Sequence, residues 1–112
     1  RSGIQEPMQI QVNSDNSVMV DSNVSEMVDS TVNNTLKRFE ARITRVEVHL
    51  SDVNADKGGI HDKRCLMEAR PAGRDPVSVT NRASELEEAV KGAAQKLRRL
   101  LDSLFGREKD KA

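Results

Sequence analysis

The chain has 112 residues, a formal net charge of zero at pH 7, one cysteine and two aromatic residues. This length fits one compact domain, and a single cysteine excludes both an intramolecular disulfide and a zinc site built on a cysteine pair. With only Phe39 and Phe105 as aromatics, a base-stacking platform typical of single-strand RNA-binding proteins is excluded as well.

We expect residues 1–7 to be an added or disordered leader, because they show no periodic pattern and Met8 would make a natural start. Residues 8–105 are predicted to form a single domain, and residues 106–112 a charged, flexible tail. The sequence contains no apolar run of about 18 residues and no charged-then-apolar leader. We therefore expect a soluble, cytoplasmic protein with no membrane partner.

The first strand and helix are predicted within residues 8–39. Residues 8–13 alternate between apolar and polar side chains, which indicates a strand. Polar residues 21–23 then offer helix N-caps, and apolar residues recur at helical spacing as far as Phe39, so a helix is predicted over about 23–39. Lys37 and Arg38 would lie in its last turn, where bases complement the helix dipole.

Three further strands are predicted in the middle of the chain. Residues 43–53 alternate without a glycine or proline, and residues 55–59 form the loop that follows. In residues 63–70, apolar side chains alternate with charged ones, so Cys65 is expected to point into the core. Residues 77–80 form a short fourth strand.

A long second helix is predicted over about 82–105, with Gly106 at its end. Its apolar residues step alternately by four and three and form one continuous stripe. The stripe suits a core-facing helix, but it could instead pair with another chain as a short coiled coil. Its members are Leu86, Val90, Ala93, Leu97, Leu100 and Leu104.

These elements predict an α+β fold with the order β-α-β-β-β-α. The three consecutive strands would form a meander, because the connections between them are short. Each helix has one apolar face, so both helices are expected to pack on the same face of a four-stranded sheet.

Six short segments stand out together with this element order. They are Met8-Gln9-Ile10-Gln11, residues 39–43, Val46-Glu47-Val48, Asp62-Lys63-Arg64-Cys65, Glu85-Leu86 and Lys96-Leu97. With their order and spacing, the chain resembles the ribosome hibernation promoting factor family, also called ribosome-associated inhibitor or protein Y, in its short form. The resemblance covers nearly all of residues 8–105 and implies two helices on a four-stranded sheet.

The resemblance implies a ribosome-associated translation regulator. Members of this family bind the small ribosomal subunit and its rRNA in the channel for messenger and transfer RNA, during stress or in stationary phase. They stop translation without catalysis, so no cofactor and no small-molecule substrate are expected. Longer members pair ribosomes through a C-terminal domain that lies beyond the resemblance, and for this chain only a weak homodimer is considered.

Two other classes of function remain open. Short family members carry lysines on the first helix where this chain has Thr31 and Asn34, which, with the zero net charge, favours a protein-interaction module of the same fold that does not bind ribosomes. A small enzyme is the third alternative, but no converging acid, base and nucleophile can be identified. A metal site built on His49, His61 and Cys65 is not expected, because no helical two-histidine spacing supports it.

RNA contacts in such a protein would be made mainly to phosphates, through lysine and arginine side chains. Residues 1–36 hold one base and five acids, whereas residues 37–74 hold nine bases and six acids. The RNA-binding candidates are therefore taken from the rest of the chain. They are Arg42, Arg45, Lys63, Arg64, Arg70, Arg74, Arg82, Lys91, Arg98 and Arg99, with Lys96 farther round the last helix.

Overall fold

Four strands and two helices follow one another in the predicted order β-α-β-β-β-α. The structure, a computed structural model, describes residues 8–53 and 62–110, with side chains up to residue 106. The predicted leader, the loop at 55–59, His61 and the last two residues lie outside the described residues. The elements are β1 (Gln9–Ser14), α1 (Ser22–Thr35), a 3₁₀ turn (Lys37–Phe39), β2 (Ile43–Asp52), β3 (Lys63–Pro71), β4 (Val77–Ala83) and α2 (Leu86–Asp110).

The strands form one mixed sheet in the order β1-β2-β3-β4. β1 runs parallel to β2, with Ile10 opposite Val46. The other two pairs are antiparallel, and Met67 of β3 lies opposite Val48 on one side and Val79 on the other. The parallel pair is joined through α1, as a crossover connection requires, whereas the meander needs only short connections.

The core lies between the sheet and the two helices. Alternate residues of β2 and β3, including Val48 and Met67, are fully buried on the helix side, and so is Cys65, as predicted. α2 packs across β3 and β4, while α1 packs against β1 and α2. Both helices therefore cover the same face of the sheet, as predicted, and the other face is open to solvent.

The buried stripe of α2 differs from the predicted stripe in its second half. Val90, Ala93 and Leu97 are buried as expected, but the next buried residues are Leu101 and Phe105, which follow in steps of four. The predicted stripe averaged 3.5 residues per turn, and over a long straight helix with 3.6 residues per turn such a stripe drifts away from the core. Leu100 is consequently 38% exposed, and Leu104 is only half-buried.

Several predicted boundaries were wrong. α1 ends at Thr35, and the 3₁₀ turn that follows carries Lys37 and Arg38, so these bases do not lie in the last turn of α1. α2 begins at Leu86 and continues past Gly106 to Asp110, because a glycine within a helix weakens it without ending it. The start of α1 agrees with the prediction, since the Asp21 side chain accepts a hydrogen bond from the Val24 N–H.

A close approach joins the edge of the sheet to α2. Asn81 of β4 faces the helices, and its Nδ2 donates a hydrogen bond to the Ala89 carbonyl at 3.2 Å. Directly beneath lies Gly92, where an added Cβ would overlap the Asn81 amide group. A larger residue at position 92 would therefore displace the Asn81 side chain and its hydrogen bond to α2.

In the parts of the chain that the structure describes, no helix combines the length and the apolar character that a membrane span requires.

Candidate RNA interface

The predicted RNA-binding residues lie on different faces of the molecule. Arg45, Arg64, Arg70 and Arg82 belong to the open face of the sheet, at register positions that alternate with the buried residues. Lys91, Arg98 and Arg99 are exposed on α2. Arg42 and Arg74 occupy connections, and Lys63 begins β3. The ten residues therefore do not form a single patch, and they differ in the acidic side chains that surround them.

On the open sheet face, two of the candidate arginines are neutralised by neighbouring acids. Arg45 lies 2.7 Å from the Glu47 carboxylate, and Arg70 lies 3.6 Å from both Glu47 and Glu68. His49 is a further neighbour of Glu47, at 3.5 Å. This network pairs positive with negative charges, although the buried Nε of Arg45 has no hydrogen-bond partner among the described residues. The open sheet face therefore presents less positive potential than the number of arginines suggests.

The candidates around the start of β3 are also paired. Lys63 donates a hydrogen bond to Asp52 at 2.9 Å, and the Arg82 guanidinium binds both carboxylate oxygens of Asp62. That double hydrogen bond lowers the pKa of Asp62 and raises the pKa of Arg82. Arg64 lies between them on the open face and makes no ion pair with any residue that the structure describes.

Along α2, some candidates are paired with acids and others are not. Lys91 pairs with Glu87 one turn earlier, at 3.2 Å, which is the surface pairing expected from their spacing. Arg98 and Arg99 are exposed, and within residues 8–53 and 62–106 no acid forms an ion pair with either. Lys96 reaches over to β4, where its Nζ donates a hydrogen bond to the Thr80 carbonyl at 2.9 Å.

Arg42 and Arg74 come together at the C-terminal end of α2, although 32 positions separate them in sequence. The Arg42 guanidinium lies 3.8 Å from the centre of the Phe105 ring, and that of Arg74 lies 5.9 Å from it. Both distances are within the range of cation–π contacts. A third base, Arg38, lies 5.3 Å from the ring centre of Phe39.

Arg38 was missed among the candidates, because the sequence placed it in the last turn of a helix. The 3₁₀ turn instead directs it toward α2, where it lies 3.3 Å from the Asp102 carboxylate. The neighbouring Arg38-Phe39 pair, with Arg42 three residues later, was a sequence signal for arginine–aromatic contact. The participation of Phe105 could not be recognised, since it depends on how far α2 extends. We name Arg38, Arg42 and Arg74 the arginine end of the molecule.

At the opposite end, several acidic residues lie beside bases that pair with some of them. β2 ends there at Asp52, β3 begins beside it, and α2 starts with Glu87 and Glu88 in its first turn. Asp15 joins them through a backbone hydrogen bond from its N–H to the Leu50 carbonyl, and hydrogen bonds from Ser17 lower the pKa of its carboxyl group. We name Asp15, Asp52, Asp62, Glu87 and Glu88 the acidic end. Asp52, Asp62 and Glu87 are paired with Lys63, Arg82 and Lys91, so three of these five acids are balanced by bases at the same end.

The side chains considered for metal binding or nucleophilic chemistry do not form a site in the described structure. Cys65 is fully buried, and burial raises the pKa of its thiol to about 12, which keeps it protonated and unreactive. No group of three or more possible metal ligands occurs among the described residues. His61, the other histidine considered, lies outside them.

Comparisons with solved structures find the same fold. A ribosomal subunit interface protein from Coxiella burnetii superposes with a TM-score of 0.74 at 13% identity, over 88% of this chain and 99% of that one. The N-terminal domain of Thermus thermophilus Protein Y superposes with a TM-score of 0.70 at 15% identity, over 87% and 99%. At such identities the likeness establishes the fold alone.

Comparisons of the sequence itself give a family. No curated protein matches the chain. Residues 11–109, however, match the family described as sigma 54 modulation protein / S30EA ribosomal protein. The match runs from β1 into the last turns of α2 and agrees with the predicted resemblance. The chain therefore belongs to the sigma 54 modulation protein / S30EA ribosomal protein family.

Proposed function

We propose that this protein is a translation regulator that binds the small ribosomal subunit and blocks the channel for messenger and transfer RNA, under stress or in stationary phase. The observation that carries the proposal is the family match over residues 11–109. The similar protein from Coxiella burnetii is described as a ribosomal subunit interface protein, which supports the ribosome as partner. The action is steric and electrostatic, in the cytoplasm, without catalysis or a cofactor.

The charge distribution supports an RNA partner at one part of the surface. Arg42 and Arg74 at the arginine end, with Arg98 and Arg99 on the half of α2 that leads to it, form the proposed main contacts with rRNA phosphates. Arg64 remains a separate candidate, because it has no ion-pair partner among the described residues. Smaller contributions are proposed for five candidates whose ion pairs with acids are described, namely Arg45, Lys63, Arg70, Arg82 and Lys91.

A second function is favoured by one observation on α1. Its exposed surface carries Glu26 and Asp29 but no base, so this helix would repel RNA phosphates. A protein-interaction module of the same fold, which binds a protein instead of a ribosome, would explain such a surface.

The deciding experiment is co-sedimentation of the purified protein with small subunits, large subunits and whole ribosomes, at low and near-physiological salt. We expect stoichiometric binding to small subunits and whole ribosomes, weakening as salt increases, and inhibition of protein synthesis in a reconstituted translation system. The large subunit alone serves as the control. If the protein fails to sediment with small subunits even at low salt, the ribosome proposal is wrong and the protein-interaction module is favoured.

A further inference from the structure

One edge of the sheet has no backbone partner among the described residues. β1 is an outermost strand, and its six residues, Gln9–Ser14, pair with β2 in a continuous register. In a strand, the N–H and C=O groups of alternate residues point to opposite edges, so half of those in β1 point away from β2. Within residues 8–53 and 62–110, no backbone hydrogen bond is made to this outer edge. The edge is therefore able to take up a further strand.

A groove runs between this edge and α1. It has a volume of about 370 Å³ and is lined by two residues of β1 and three of α1, namely Ile10, Val12, Ser25, Glu26 and Asp29. Ile10 and Val12 are on the helix-facing side of the sheet but are only half-buried, whereas their partners in β2 are fully buried. α1 thus leaves apolar surface of the edge strand uncovered, and the groove combines this apolar surface with an acidic wall.

The acidic wall consists of two carboxylates that no described residue neutralises. Glu26 and Asp29 are exposed, and neither forms an ion pair within the part of the chain that the structure describes. They are three positions apart on α1, a spacing that places their Cβ atoms roughly 5–6 Å apart on one helix face. Alternate residues of an extended strand are spaced by a similar distance, about 6.6 Å. Two bases at alternate positions of an added strand would therefore match the two carboxylates.

From these features we infer that the outer edge of β1 and the acidic wall of α1 bind an extended, lysine- or arginine-rich segment of another protein by strand addition. Backbone hydrogen bonds to β1 supply affinity, and the groove selects the side chains at alternate positions of the added strand. A lysine stem packs on Ile10 and Val12, while its ammonium group reaches Glu26 or Asp29. Lysine suits such a site because its stem is apolar and only its end is charged.

The charges favour this occupant over two others that a sheet edge could take up. The β1 strand of a second copy contains no base, so pairing of two copies would leave the carboxylates of α1 without partners. An RNA strand would be repelled by the same carboxylates. The inference gives the protein-interaction function a surface and a class of partner, and it does not depend on ribosome binding.

The first test measures the contribution of the two carboxylates. The probe is a fluorescein-labelled octapeptide in which lysine alternates with threonine, and its affinity is measured by anisotropy at low salt. We expect E26Q/D29Q to bind it on the order of tenfold more weakly than the natural protein, because two ion pairs are lost. The matched control is E87Q/E88Q, which removes the same charge from the first turn of α2 and should have little effect. Equal loss in the two variants would overturn the inference, since total charge would then govern binding.

The second test asks whether the peptide binds as a strand. Two further peptides have the same sequence, but one is N-methylated at every lysine and the other at every threonine. Because alternate N–H groups point to opposite edges of a strand, only one of the two sets can face β1. We therefore expect one methylated peptide to lose most of its affinity and the other to bind like the unmodified peptide. Equal affinities of the two methylated peptides would overturn strand addition.

Co-sedimentation with small subunits separates this inference from the proposed function. If small subunits are bound, but the octapeptide does not bind or binds the natural protein and E26Q/D29Q equally well, the inference is wrong while the ribosome proposal stands. If the expected peptide effects appear but small subunits are not bound, the inference stands and the ribosome proposal is wrong.

Discussion

Asn81 shows how a single polar residue can set the distance between a strand and a helix. It stands on the helix-facing side of β4, where its neighbours Val79 and Ala83 are apolar. Its amide group donates to the Ala89 carbonyl and occupies the space above Gly92. The hydrogen bond therefore depends on the absence of a Cβ at Gly92, because a larger residue there would displace the Asn81 amide group.

We predict that Gly92→Ala destabilises the protein by about 1–3 kcal/mol, since the added methyl group overlaps the Asn81 side chain. The free energy of unfolding in urea measures this change. Gly106→Ala is the matched control in the same helix, because nothing lies within 4 Å of the added methyl group there. That control should be neutral or stabilising by up to about 1 kcal/mol. Equal stability of G92A and G106A would contradict the prediction.

Cys65 makes the stability of the protein depend on pH above 9. Burial raises the pKa of its thiol from 9.0 to about 12, so the unfolded chain releases the thiol proton at a pH where the folded protein retains it. Stability is therefore unaffected below pH 9 and falls as the pH rises toward 12, by about 1 kcal/mol between pH 9 and pH 10.

The measurement compares urea unfolding of the natural protein and Cys65→Ala at pH 8, 9 and 10. The alanine variant should be less stable overall, because it leaves a small cavity, but it should lose less stability above pH 9. Parallel pH profiles for the two proteins would show that the thiol does not carry the effect.

For single residues, burial could be predicted from the sequence where apolar and polar side chains alternate along a strand. Cys65 lies in a strand where every second residue is apolar, so its burial could be predicted. The contact between Asn81 and Gly92 could not, because it depends on how α2 lies against β4. Arg38 was misjudged for a similar reason, since one 3₁₀ turn changes the direction of its side chain.

Among the elements, α2 was predicted correctly as an amphipathic helix, but some of the residues predicted to be buried in its second half were wrong. The first three turns of the predicted stripe point into the core, and the later turns do not, because a 3.5-residue repeat and a 3.6-residue helix diverge with length. The helix itself, its direction and its packing were predictable from its amphipathic pattern. The choice between Leu100 and Leu101 was not, since both fit an apolar stripe.

We predict that Leu101→Ala lowers the free energy of unfolding by about 2–5 kcal/mol, because Leu101 is fully buried. Leu100→Ala, which changes the same chemical group one position away, should cost less than about 1 kcal/mol at its exposed site. Urea denaturation of both variants measures the difference. A larger loss for L100A would indicate that the originally predicted stripe, or a coiled-coil partner, buries this residue.

For the whole molecule, the pairing of individual charges is more informative than the net charge of zero. The candidate list came from composition along the chain, which identifies bases but not their partners. Among the described residues, at least half of those candidates are paired with acids. Pairing depends on strand register and on which loops meet. The fold could thus be predicted more completely than the RNA interface.

The two exposed arginines of α2 that form no ion pair with a described residue, Arg98 and Arg99, predict how salt affects ribosome binding. Each phosphate contact contributes about 0.7–0.9 to the slope of the logarithm of affinity against the logarithm of salt concentration. R98Q/R99Q should therefore reduce the slope for small subunits by about 1 to 2. Titrations at several salt concentrations provide the measurement. R82Q/K91Q is the charge-matched comparison, and it should reduce the slope less, because smaller contributions are proposed for these two paired bases. A slope reduced equally by both variants would mean that total charge, and not its location, governs binding.

The contact between Lys96 and Thr80 has a consequence for self-association. β4 is an outermost strand, and exposed edge strands can add a strand from a second chain, which leads to aggregation. Lys96 extends from α2 to a backbone carbonyl of that strand and places a charged ammonium group beside it. An incoming strand would have to displace this lysine and desolvate its charge. The same helix that closes the core therefore also protects the sheet from growing at β4.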